Sequence, residues 1–78
     1  MKRMIMKNKA RLFIKTLLMN RSISYVKLAE MMNKKGYKET PDTIRTKVHR
    51  GSFSFSFLLE VCDTLNIDII DKEILWFK

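Results

Sequence analysis

Residues 40–65 read TPDTIRTKVHRGSFSFSFLLEVCDTL, and this stretch decides between an all-helical chain and one that carries strands. Thr40 suits a helix N-cap, because its hydroxyl can accept a backbone N–H two or three residues on. Pro41 follows at the first helical position, where its missing N–H costs nothing. Asp42 sits near the positive end of the helix dipole. Ile44 and Val48 are the only aliphatic residues before Gly51, so they form a narrow inward stripe with glycine as the stop. Ser52 to Phe57 then alternates serine and phenylalanine, which by itself matches a half-buried strand. The residues from Phe57 onward decide against a strand. Phe57 or Leu58, Val61, Cys62 and Leu65 keep helical spacing, so a serine, Ser54 or Ser56, is expected to cap another helix that ends near Asn66.

The same pattern extends upstream. From about Asn8 to Asn20, Ala10, Phe13, Ile14, Leu17 and Leu18 recur at i, i+3, i+4, i+7 and i+8, the stripe of a core-facing helix. Asn20-Arg21-Ser22 breaks it, and Ile23 is expected to tuck under as the connector. Ser24 is a good cap for a second helix, with Tyr25, Leu28, Ala29 and Met32 on one face and Gly36 as its stop. The first residues, MKRMIMK, show no clear period. The expected organisation is a basic arm over 1–7, one helical domain over 8–68 and an apolar tail over 69–78. That tail is read as a fifth short helix, a core cover or a dimer contact, since Trp76 and Phe77 are costly to leave exposed.

The chain has 78 residues and a net charge of +8, and the signs are segregated. Residues 1–50 carry fourteen Lys/Arg against three Asp/Glu; residues 51–78 carry two against five. A chain made merely soluble would mix its signs, so the first part points to an anionic partner. No apolar run reaches the length of a membrane span or a secretory signal core. One cysteine, Cys62, excludes an intrachain disulfide and fits a reducing cytoplasm. His49 is the single histidine. No metal set, paired carboxylates, nucleophile–base pair or phosphate loop is legible, so neither an enzyme nor a cofactor is expected.

The third helix carries the candidate chemistry. With two aliphatic anchors it must turn a broad polar face outward. A solvated face is the plain reading of such residues, but the basic charge and the helix order favour duplex DNA, whose major groove admits one helix. Thr43, Thr46 and Lys47 are the base-contact candidates, being near the helix start or able to donate. Arg45 and Arg50 are phosphate candidates. So are Ser24 and Lys27 at the start of the second helix, and Lys38 in the loop.

The runs LAEMMNKKG (28–36), TIRTKVHRG (43–51) and FLLEVCDTLNID (57–68) resemble the phage lambda repressor/Cro-type (XRE-like) helix-turn-helix domain over about Leu12 to Asp68. Residues 50–59, RGSFSFSFLL, resemble more narrowly a small bacterial group of uncharacterised domains in that superfamily. The resemblance implies a compact all-α domain of four to five helices. It also implies a repressor-like regulator on double-stranded DNA, acting as a homodimer at the bacterial nucleoid. Two features depart from the usual pattern. The turn before the third helix is longer, and its aliphatics are spaced i, i+4 instead of i, i+3. The competing expectation is a protein-interaction module, of antitoxin or adaptor kind, that uses the fold without DNA.

Overall fold

The structure, a computed structural model, describes residues 2–67. The tail read over 69–78 lies outside the described residues. Four α-helices follow one another: α1 (Lys2–Asn20), α2 (Tyr25–Lys34), α3 (Pro41–Arg50) and α4 (Phe55–Thr64). There is no strand among the described residues.

Local hydrogen bonds start three of these helices where the sequence places caps. Ser24 Oγ accepts from the Lys27 N–H at 3.1 Å, Thr40 Oγ1 from the Thr43 N–H at 3.1 Å, and Ser54 Oγ from the Phe57 N–H at 3.1 Å. Each bond satisfies one of the orphan donors of a first turn. Ser54, not Ser56, is therefore the cap of α4, and the Ser-Phe alternation is a connector that runs into a helix.

Three helices also end alike. Beyond α1, the Ile23 N–H donates to Leu18 O at 2.9 Å and the Ser22 N–H to Met19 O at 3.0 Å. Beyond α2, the Tyr37 N–H donates to Met32 O at 2.9 Å and the Gly36 N–H to Asn33 O at 3.0 Å. Beyond α4, the Ile67 N–H donates to Cys62 O at 2.8 Å and the Asn66 N–H to Asp63 O at 3.2 Å. This is the Schellman arrangement, and it needs a left-handed residue at its centre. Ser22, Gly36 and Asn66 supply it, at φ 54°, 95° and 59°. The next residue of each, Ile23, Tyr37 and Ile67, is partly buried and packs on the core. Each chain reversal is thus tied to the interior by an apolar side chain.

The core joins Ile14 and Leu18 of α1, Leu28, Ala29 and Met32 of α2, Ile44 and Val48 of α3, and Phe57, Leu58, Val61 and Cys62 of α4, with Leu65 beyond it. α3 packs against both α1 and α2, and α4 packs on α2. Burying an aliphatic side chain of this kind contributes about 1.5–3 kcal/mol before entropy is charged against it. The predicted stripe of α1 lies inward, with Ala10, Phe13 and Leu17 half-buried beside Ile14 and Leu18.

The start of the first helix needs correction. Residues 2–7 are not a separate arm; they form the opening turns of α1. No glycine, proline or capping residue interrupts KRMIMK, and most of its residues are good helix formers. They escape a periodicity reading because Met4, Ile5 and Met6 are all exposed. Their backbone is nevertheless held against the end of α3. A Cβ built on Gly51 would lie 2.3 Å from the carbonyl oxygen of Lys7, so only glycine allows this approach. Gly51 also adopts φ +68°, the left-handed region where a side chain is costly.

Candidate nucleic-acid interface

α3 presents two unlike sides. Ile44 and Val48, both fully buried, set the inward direction. On a helix of 3.6 residues per turn, Asp42, Arg45, Thr46, His49 and Arg50 then fall on the far side, while Thr43 and Lys47 fall on a flank. Burial agrees: Arg45, Thr46, His49 and Arg50 are exposed, and Lys47 is only half so.

The flank is occupied by a network that helical spacing does not predict, centred on Glu39. This residue precedes the cap of α3, and its side chain is 6% exposed. Thr43 Oγ1 donates to Glu39 Oε1 at 2.7 Å, and Lys47 Nζ pairs with Glu39 Oε2 at 2.5 Å. The Lys47 ammonium also stands 4.8 Å from the centroid of the Phe57 ring, tying α3 to α4 through a cation–π contact. Thr43 does more. Its hydroxyl accepts from the Thr40 N–H at 2.9 Å, completing a reciprocal capping box. Thr43 and Lys47 are therefore not the free outward groups expected of base contacts. One is spent in the cap, and the other neutralises a buried carboxylate.

Asn33 fixes the same corner from α2. Its side-chain amide donates to Ala29 O and to Glu39 O, both at 2.8 Å, and its oxygen accepts from the Glu39 N–H at 3.4 Å. The connector between α2 and α3, residues 35–40, is longer than the three or four residues of a tight helix-turn-helix turn. It is held at its other side by α4. The Tyr37 hydroxyl donates to Asp63 Oδ2 at 2.6 Å, and Lys35 Nζ lies 3.6 Å from Asp63 Oδ1 and donates to Asp63 O at 3.1 Å. The hydrogen bond to Asp63 raises the Tyr37 phenol above its ordinary value. The same bond, helped by Lys35, lowers the Asp63 carboxyl. A signal for the Glu39 corner exists in the sequence, an acid beside Thr40-Pro41 with a lysine two turns on. Helical spacing within α3 alone does not reveal it.

The outward side is lightly committed. Arg45 Nη1 contacts Asp42 Oδ1 at 2.6 Å, with both side chains mostly in solvent. The Arg45 guanidinium also lies 5.9 Å from the Tyr25 ring centroid, which sets this arginine beside the start of α2. There Ser24 caps the helix, and Lys27 makes a loose ion pair with Glu30 at 3.7 Å. Exposed pairs of this type contribute about 0–1 kcal/mol, so a phosphate can replace either partner at little cost. Thr46 and Arg50 are exposed with no side-chain bond or ion pair to the described residues, and Lys38 is exposed in the connector. Of the eight expected contacts, Ser24, Lys27, Arg45, Thr46 and Arg50 are on α3's outward side or at the start of α2. Lys38 sits apart, near the Glu39 corner, where it helps to line a shallow open pocket. His49, which is no contact candidate on sequence grounds, belongs to the outward side.

Among the described residues no helix is long and apolar enough to cross a membrane, and no group of His, Cys, Asp or Glu is arranged to hold a metal ion. Cys62 is buried, and its burial raises the thiol above the ordinary value, which suits a packing role. No curated protein and no solved structure matches the chain. A family model does, over residues 6–70, which takes in every helix from α1's second turn onward; the chain belongs to the family described as Domain of unknown function (DUF6471).

Proposed function

We propose that this protein is a small DNA-binding regulator of the lambda repressor/Cro helix-turn-helix kind, with α2 and α3 as its reading pair. One observation carries the proposal: the exposed side of α3 gathers Arg45, Thr46, His49 and Arg50, beside the cationic start of α2. Thr46 and Arg50 are the base-edge candidates, because their donors are unspent. Arg45, Ser24 and Lys27 are the phosphate contacts, the first by exchanging Asp42 for a phosphate oxygen. Lys47 and Thr43 support the helix without touching DNA. The long connector does not loosen α3 in this reading, since Asn33, Glu39, Tyr37 and Asp63 hold it at both sides.

Selection from a random duplex library tests the proposal. The wild-type chain is expected to enrich a short motif and to lose affinity steeply as salt rises. Replacing Arg45, Thr46 and Arg50 together by alanine is expected to abolish the motif. Lys47→Ala, at a temperature where it remains folded, is expected to keep it. Absence of enrichment and of salt-dependent binding overturns the proposal. A stable protein complex without DNA affinity would instead favour the interaction-module reading, which the apolar outer side of α1 supports.

A further inference from the structure

The outer side of α1 is the largest feature that neither the core nor the DNA reading uses. Met4, Ile5, Leu12 and Met19 are 69%, 52%, 63% and 75% exposed. Ile5, Leu12 and Met19 recur every seven residues, so they fall within a narrow band along the helix, with Met4 beside them. The band is about 21 Å long at 1.5 Å per residue. α1 carries six Lys/Arg and no acid. A second α1 laid against it would bring like charges together, so the complementary occupant is apolar and acidic.

The chain contains one such segment. Residues 68–78, DIIDKEILWFK, hold Asp68, Asp71 and Glu73 together with six large apolar residues. They begin directly after Ile67, which is packed on the core just past α4. Arg21, just past α1, acts electrostatically on Cys62 of α4, so the segment starts near the Met19 end of the band. Eleven residues reach about 36 Å when extended, more than the band requires. Tethering gives the segment a high effective concentration there without any added contact.

We propose that residues 68–78 dock on the Ile5–Leu12–Met19 side of α1 within the same chain. The apolar side chains cover the band, and Asp68, Asp71 and Glu73 face the cations beside it. Neither the band nor the segment takes part in the DNA reading.

Trp76 is the chain's single tryptophan and lies in the segment, so its fluorescence reads the docking directly. The full chain is expected to show blue-shifted emission. Leu12→Asn and Met19→Asn are expected to move it to that of free indole with helical circular dichroism unchanged, because both positions are exposed. Lys15→Glu is expected to give a smaller red shift in the same direction. Emission of a solvated indole in the wild type, or blue-shifted emission unmoved by Leu12→Asn, overturns the proposal. Blue-shifted emission that is lost on dilution as the sedimenting mass halves assigns the band to a second copy and overturns the intrachain form. Phosphatidylserine vesicles that bind the chain through Leu12 while Trp76 emission ignores that substitution assign the band to a membrane, with the same consequence.

Discussion

Lys47 and Arg50 lie three residues apart on one ten-residue helix, yet they are held in opposite ways. Lys47 is drawn to a carboxylate that α2 and the connector have buried, and it lies over an aromatic ring of α4. Arg50 stands in solvent beside the glycine that ends the helix. A basic helix therefore cannot be treated as one surface. Part of its charge offsets desolvation inside the protein, and only the remainder is available to an anionic partner.

The largest expected effect tests the end of α3 on which this division rests. Gly51→Ala forces a Cβ against the Lys7 carbonyl and a side chain into left-handed backbone. It should destabilise the protein by on the order of 2–3 kcal/mol, read as a lower urea midpoint. Gly36→Ala, in the other connector of α3, meets nothing within 4 Å and retains only the conformational cost. Its loss should be about 1 kcal/mol. Equal losses at the two glycines would show that α1 and α3 do not meet at Gly51.

The next effect divides the two cations. Lys47→Ala leaves the Glu39 carboxylate buried with Thr43 as its remaining side-chain partner. A fully buried pair loses about 3–5 kcal/mol in this way. The Lys47 side chain is 42% exposed, so about 1–2 kcal/mol is expected from denaturant unfolding. Arg50→Ala should change stability by less than about 0.5 kcal/mol. Similar losses for the two would break the comparison.

The smallest effect concerns the far side of the connector. Tyr37→Phe removes the hydrogen bond that lowers the Asp63 carboxyl, so Asp63 should titrate closer to the ordinary carboxylate range, measured by NMR. In the wild type, the stability contributed by this depressed group is present above the ordinary range. It is lost as pH falls through the depressed value. Tyr37→Phe should therefore shrink the acid-side loss of stability.

Much of the fold is legible because helix boundaries are local events. Ser24, Thr40 and Ser54 accept bonds from N–H groups three residues on, so their roles follow from short-range spacing. Gly36, Gly51 and Asn66 stop helices for reasons of backbone conformation. Ser22 plays the same part without a sequence signal, since serine is not a usual left-handed residue. The opening turns of α1 are illegible for the opposite reason: they bury no stripe, and their place is set by contact with Gly51.

The candidate site is less legible. A helical wheel ranks Thr43 and Lys47 as polar residues of a basic helix, and Thr46 and Arg50 equally so. Glu39 separates them, and its position depends on Asn33 of α2 and on how the connector folds back. The amino-acid order alone settled an all-helical domain, its caps and stops, and the segregation of charge, because these depend on neighbours a few residues apart. Tertiary packing settled which cations remain outward, because a charge is spent or spared by groups that only the folded chain brings within reach.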